Sequence, residues 1–432
     1  MTSTTDKAGR VTRRTALASL AAGAATLAGC GGGAAGGDAT AGVSGAAGVD
    51  AVPAGAAPAM GDAGGPADVA GISSGGTGSF TTGTVSGLGS IIVCGIRYDD
   101  GSATVERDDG GIVGAVRPGM VVAVRGTAIA PAAGTALPTA TALQIRYASE
   151  WAGPVDAVDA VARTITVAGQ RADIAANAVF DGDALQLAGI TTAHQVELHG
   201  YLDVSTGRLL ATRVEVSSVA AASVRLSGKV TSLDAAARTF QLGTALIGFD
   251  DGLALPAAWG NGQLVRVTLV PGSSGTAWRA TGIQQRQAWL QAMDAGNGAE
   301  AELEGRITSV GAPGTFAVNG IQVDASAVTL AGALLVGTVV EVHGTTFNGT
   351  VIASRVELKP LAQVETEVFE FLGAVSNLDI LTRTFTLKGL QFTYGVGTPI
   401  DILGWITGAT PVVHVKAVPV GGSWLATEIH QS

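Results

Sequence analysis

From Phe80 onward the chain alternates. Val, Ile or Leu recurs at every second position in short runs, polar residues stand between, and Gly, Asp or Pro separates one run from the next. Val196-Glu197-Leu198-His199-Gly200 is one such run. Its counterparts are Val121-Val122-Ala123-Val124-Arg125-Gly126, Val265-Arg266-Val267-Thr268-Leu269, Val339-Val340-Glu341-Val342-His343-Gly344 and Val412-Val413-His414-Val415-Lys416. Successive side chains of a strand leave from opposite faces, so a period of two with β-branched residues predicts strands buried on one side.

The runs recur as a unit. A Gly-x-(Val/Ile)-x-x-(Leu/Val) opening stands at Gly83, Gly153, Gly228, Gly305 and Gly373, spaced 70, 75, 77 and 68 residues apart. A second run follows at 90–93, 163–167, 238–242, 315–318 and 383–387, then a third such as 170–174. After a longer irregular segment come the alternating run above and a closing run built on Ala-(Thr/Ser), such as Ala211-Thr212-Arg213, with later counterparts from Ala280, Ala353 and Ala426. Five short strands with an insertion between the third and fourth match the OB-type barrel, whose closure removes exposed sheet edges.

The expected fold is all-β: a tandem array of about five small OB-like five-stranded barrels after a disordered N-terminal leash. The repeats fall at 80–148, 149–217, 224–286, 302–358 and 367–432, with linkers at 287–301 and 359–368. Each unit is near the lower size limit for independent stability, so the barrels either pack on one another or form a loose string.

The N-terminus reads differently. Thr12-Arg13-Arg14 precedes a short uncharged run that ends at Leu27-Ala28-Gly29-Cys30. The apolar part is too short for a membrane span, and the arrangement marks residues 1–29 as an export signal. Leu27-Ala28-Gly29-Cys30 resembles the lipobox of bacterial lipoproteins, which implies that the Cys30 sulfur carries diacylglycerol and becomes the new N-terminus. Arg13-Arg14-Thr15-Ala16-Leu17 resembles the twin-arginine export type but departs from it at Ala16, so the general secretion route stays open. The lipoprotein resemblance implies an extracytoplasmic, lipid-anchored protein. Gly31, where Asp often marks inner-membrane retention, points to the outer membrane. Residues 30–79 are mostly Ala and Gly and cannot bury enough apolar surface to order themselves. They read as a tether of about 40 Å typical reach. Gly71-Ile72-Ser73-Ser74-Gly75 fits a G-x-S-x-G elbow by letter but lacks the strand before and the helix after that the motif needs.

Charge and cysteine content narrow the function classes. The formal charge of the 432 residues is −10. Loss of the signal, with Lys7, Arg10, Arg13, Arg14 and Asp6, makes the remainder more acidic, which argues against nucleic acid as a partner. Lipidation of Cys30 leaves Cys94 alone, so stability is expected to come from packing and not from a disulfide.

Gly87-Leu88-Gly89-Ser90-Ile91-Ile92-Val93-Cys94-Gly95-Ile96-Arg97-Tyr98-Asp99, with Arg117-Pro118-Gly119-Met120-Val121-Val122 and the closing strands, resembles a bacterial family of repeated β-domains catalogued as a domain of unknown function. The likeness covers roughly 76–358 and, more weakly, the tail. It departs at Cys94, where the family usually has Asn in a tight turn. The resemblance implies an exported modular β-protein and carries over no catalytic residues.

Candidate chemistry is sparse. His199 and His343 occupy equivalent positions, which suits one ligand site per barrel, or a turn-adjacent polar position that accepts His; Arg125 in the first copy favours the second. No His-x-His or Cys cluster is present, and no metal or cofactor is expected. His414 and His430 fall on different strands of the last copy. Asp-Gly clusters at 99–101, 108–110, 181–183 and 250–252 lack calcium-loop spacing and read as turns. Trp278 and Trp424 stand at matching points and read as barrel plugs before stacking platforms. The expected function is a non-catalytic, lipid-anchored cell-envelope module with an interaction or structural role and an envelope protein or polysaccharide as partner. The alternative is an envelope protein that binds an oligosaccharide or a divalent metal ion.

Overall fold

The structure is a computed structural model that describes residues 78–132, 137–220, 223–272, 278–286, 289–360, 368–398 and 412–431. The export signal, Cys30, residues 31–77 of the tether and the segment 71–75 lie outside the described residues. Ser79, counted above with the tether, is already the first residue of a strand.

All five repeats close into barrels by one pairing scheme. In the second repeat the opening strand Trp151–Asp159 pairs with Thr164–Val167 through its C-terminal half and with Gln195–Asp203 through its N-terminal half. Thr164–Val167 pairs with the third strand Gln170–Gly182, which lies parallel to the closing strand Arg208–Ser217, and the closing strand returns to Gln195–Asp203. Numbering strands within the barrel, the order is 1-2-3-5-4-1, the closed circuit of an OB-type fold. The same circuit opens on Ser79–Leu88, Val224–Asp234, Glu300–Val310 and Phe369–Asp379 in the other four. The first barrel adds a strand, Thr104–Arg107, beside its closing strand Thr139–Tyr147, where Arg146 and Gln144 both bond Glu106. The far half of Gln170–Gly182 fills the same place in the second barrel.

Local chemistry explains the recurring letters. Asp159, Asp234 and Asp379 each accept two backbone N–H bonds from the turn that follows, and Arg163, Arg238 and Arg383 then take a left-handed φ of 51°, 53° and 54° before the second strand. The next hairpin is a two-residue turn with both residues at positive φ: Cys94-Gly95, Ala168-Gly169, Asn319-Gly320 and Lys388-Gly389. Cys94 thus holds the place that Asn319 holds in the fourth barrel. The opening glycine lets this turn approach, since a Cβ on Gly83 would stand 2.8 Å from Cys94 Sγ.

The barrels pack; they do not form a loose string. The opening strand of the first barrel runs parallel to that of the fourth (Ser79 opposite Glu300, Thr82 opposite Leu303) and meets that of the fifth at Gly87 and Leu88. Opening strands of the second and third pair antiparallel at Trp151 and Ala152. One apolar core runs through the second, third and fourth barrels and takes in Phe80 and Val121 of the first. The stretch 287–301, expected as a linker, is corrected: it contains a short helix, Trp289–Ala292, and Trp289 and Met293 are buried in that core while the Trp289 indole N–H bonds Asp108 at 2.7 Å. Burying one Trp and one Met outweighs the Ala/Gly-rich surroundings that suggested a linker.

Candidate functional site

Each barrel offers one distinctive rung, made by a bulge between the fourth and closing strands. In the second barrel the ladder slips between His199 and Gly200 and leaves Thr212 without an opposite number. The same slip leaves Leu143, Thr281, Ser354 and Thr427 in the other barrels. Where a hydroxyl is present it donates to the carbonyl of the residue before the slip: Thr212 to His199, Thr281 to Thr268, Ser354 to His343, Thr427 to Lys416, at 3.1–3.3 Å. This is the physical content of the Ala-(Thr/Ser) signature. The preceding Ala sits opposite the slipped position, where a Cβ on Gly200 or Gly344 would run into the Leu210 or Ile352 carbonyl.

The residue before the slip is Arg125, His199, Thr268, His343 or Lys416 in chain order. In the second and fourth barrels a glutamate two positions earlier shares its face, and an arginine and a second glutamate lie across the ladder: Glu197, His199, Arg213 and Glu215 in one, Glu341, His343, Arg355 and Glu357 in the other. No sequence-local signal joins these four, because the pairing register alone brings them together.

In the second barrel the imidazole is sealed. His199 is fully buried, and burial pushes its pKa down to about 4. Its Nδ1 lies 3.2 Å from the Ala148 carbonyl oxygen, and its Nε2 stands 3.7 Å from Glu197 and 3.9 Å from Glu215 without a hydrogen-bond partner. Glu197 is contacted by Arg107 and, at 3.4 Å, by Arg225; burial raises its pKa, with Asp109 and Glu215 adding to the effect. Arg107 is held chiefly by Asp109, at 2.6 Å. Burial opposes ionisation of Asp109, yet bonds from Arg107 and Ser149 outweigh it and hold its pKa well below the carboxylate range.

In the fourth barrel the same position is charged. His343 Nδ1 lies 2.5 Å from Glu302 and Nε2 3.4 Å from Glu341. Those two carboxylates push the imidazole up to about 9. Burial works against Glu341, but His343 and Lys359 bring its pKa down to about 2. Lys359 also bonds Glu304, and Glu304 accepts the Tyr201 hydroxyl at 2.6 Å, which in turn meets Thr84 at 2.7 Å. One buried chain of polar groups therefore ties the first, second and fourth barrels. Among the described residues, Glu197–His199–Glu215 and Glu302–Glu341–His343 are the groups close enough to hold a cation.

The other candidates fall out as follows. His414 and His430 face each other across one ladder, but each is taken by a glutamate, Glu370 at 2.9 Å and Glu428 at 3.1 Å. Trp424 is buried among Phe369, Phe371 and Phe392, and Trp278 packs on the main core. Asp99 caps Gly101 in a turn, whereas Asp109, Asp181 and Asp250 are ion-paired to Arg107, Arg213 and Arg279. Sequence reasoning missed a cleft of about 230 Å³ shared by the first, second and fifth barrels, lined by Arg117, Arg163, Arg213, Phe180 and Pro419. Its residues come from distant segments, and no local pattern signals it.

Fold and rung together define a tandem OB-type barrel protein. Two stretches of it, residues 152–215 and 304–357, match the family model described as Domain of unknown function (DUF5666). They are the second and fourth barrels, the two that carry the Glu-x-His rung. No curated protein matches the chain. A solved structure titled "drosophila Unr CSD456" is similar at 14% identity, covering 48% of this chain and 96% of that chain, with a TM-score of 0.13.

Proposed function

We propose that the protein is a non-catalytic scaffold of the bacterial cell envelope: a block of β-barrels carried outside the cytoplasm on a lipid attached to Cys30, with the acidic barrel surfaces available to an envelope protein or polysaccharide. The observation that carries the reading is the junction of Thr84, Tyr201, Glu304 and Lys359. These groups come from three barrels, are buried or nearly so, and are spent on one another. Such a network favours a fixed assembly over independent beads. The lipobox and the Ala/Gly-rich stretch behind it support the anchor and its reach. Among the described residues no helix is long and apolar enough to cross a membrane.

Cell fractionation tests the reading. Wild-type protein is expected to incorporate labelled palmitate and to stay with membranes through a high-salt, alkaline wash, while Cys30→Ser is released. Retention of the serine variant would refute the anchor. Crosslinking in intact cells is expected to trap an envelope component on the wild type, and recovery of no adduct would count against the scaffold role. Binding of a divalent ion is the second reading, favoured by the geometry around His199.

A further inference from the structure

The imidazole of His199 is 1% exposed, and its Nδ1 points at the carbonyl oxygen of Ala148. A carbonyl only accepts, so the ring proton belongs on Nδ1 and Nε2 presents its lone pair. That lone pair faces Glu197 Oε1 at 3.7 Å and Glu215 Oε1 at 3.9 Å, with no hydrogen-bond donor in reach. Three electron-rich atoms thus converge within 4.8 Å of one another. Each carboxylate oxygen already carries one guanidinium, Glu197 Oε1 that of Arg107 and Glu215 Oε1 that of Arg213 at 2.7 Å, but the His199 lone pair has no hydrogen-bond partner. A tetrahedral zinc ion spaces its N and O ligand atoms roughly 3.4 Å apart, and metal-binding histidines commonly have their other ring N–H fixed by a carbonyl.

We propose that Glu197, His199 and Glu215 bind one zinc-class divalent cation, reached from the groove of about 560 Å³ that Glu197, Glu215, Asp181 and Arg225 line. An imidazole with two carboxylates suits a borderline first-row dication better than magnesium or calcium, which favour all-oxygen sites.

The neighbouring guanidiniums do not have to leave. Arg107 bonds Asp109 as well as Glu197 Oε1, Arg213 bonds Asp181 and the Pro118 carbonyl as well as Glu215 Oε1, and Arg225 touches the other oxygen of Glu197. A carboxylate has about four lone-pair sites, so one oxygen serves an N–H and a metal together. Four carboxylates (Glu197, Glu215, Asp109, Asp181) against three guanidiniums leave a negative charge for the ion to meet.

The fourth barrel is a control inside the same molecule. It repeats all four letters of the rung, but there Nδ1 stands 2.5 Å from the Glu302 carboxylate instead of a backbone carbonyl, and Glu302 and Glu341 together favour the charged imidazole, which offers no lone pair to a metal. In the second barrel the glutamate just ahead of Trp151, Glu150, is instead bound to Arg286.

The test is calorimetric titration of tag-free, EDTA-treated protein with zinc chloride, and with magnesium chloride in parallel. One saturable zinc site per chain is expected, with magnesium far weaker. Affinity should fall about tenfold or more in Glu215→Gln and in His199→Gln, and stay unchanged in His343→Gln. Glu215 is partly exposed, so its variant decides the matter even if the His199 variant folds poorly; circular dichroism checks both. Cobalt(II) in place of zinc should give the visible bands of a four-coordinate N/O site in the wild type alone. Absence of saturable zinc binding, equal binding in Glu215→Gln, or loss of binding in His343→Gln would each overturn the assignment. The outcome is independent of the lipid anchor.

Discussion

His199 and His343 stand on the same rung of two barrels, each two residues after a glutamate and directly across from an arginine, yet the first favours the neutral imidazole and the second the protonated one. The difference lies on the opening strand. Glu302 reaches His343, whereas in the second barrel Nδ1 finds only the Ala148 carbonyl. Burial takes the proton from His199, while Glu302 from a third strand, together with Glu341, lets His343 keep one.

That charge makes the fourth barrel sensitive to alkali. The folded pKa of His343, about 9, lies above its ordinary value of 6.5, so its stabilisation is full below about pH 6.5 and is lost as pH rises through 9. Glu341, held at about 2, contributes above 4.5 and fails as pH falls toward 2. With solvent screening, the imidazole's share is about 1–2 kcal/mol. Urea midpoints measured between pH 6.5 and 9.5 should decline more in wild type than in His343→Gln; parallel curves would refute the assignment.

The three-barrel junction predicts a loss of coupling. Tyr201→Phe removes the hydroxyl that Glu304 and Thr84 both use, and leaves a buried carboxylate with Lys359 as its remaining partner. A cost of about 1–3 kcal/mol is expected. Scanning calorimetry should show a lower and broader unfolding transition, and an unaltered trace would mean that the barrels are held by their apolar contacts alone.

At the bulge, Thr212→Val deletes a hydroxyl that donates to both Gly119 and His199 carbonyls, at 2.7 and 3.3 Å, in a buried position. Thr427→Val deletes only one such bond at an exposed one. The first substitution should lower the urea midpoint by the equivalent of about 1–2 kcal/mol and the second by well under that.

Cys94 keeps part of its surface at a turn, but its thiol is turned inward, with Sγ donating to the Thr82 carbonyl at 3.4 Å. Burial, reinforced by Glu304, Glu341 and Glu302, raises its pKa well above the ordinary value. In a Cys30→Ser background, alkylation at pH 8 should therefore be slow for the native protein and fast in urea. Rapid labelling of the native form would show the turn to be open.

The strands were legible because their cause is local. A period of two, with Val and Ile on one face, specifies a half-buried strand wherever it occurs, and the five Gly-x-(Val/Ile) openings and the recurring Ala-(Thr/Ser) closing runs repeat the message. Even the Asp-x-x-x-Arg-Thr turns at 159–164, 234–239 and 379–384 are readable, since the Asp that caps each turn is within three residues of the amides it binds. The stretch 287–301 misled because its Ala, Gly and Asn resemble a linker, while the cavity that accepts Trp289 is built by other barrels.

Alternation along the chain, then, settled which residues face a core and that the units would be small barrels, because both follow from neighbours in sequence. Three-dimensional packing decided the chemistry. Glu215 reaches His199 through the register of a bulged ladder, Glu302 reaches His343 across a barrel seam, and Arg107 comes to Glu197 from another barrel altogether. Electrostatic interactions depend on separation in space, and folding alone sets those distances.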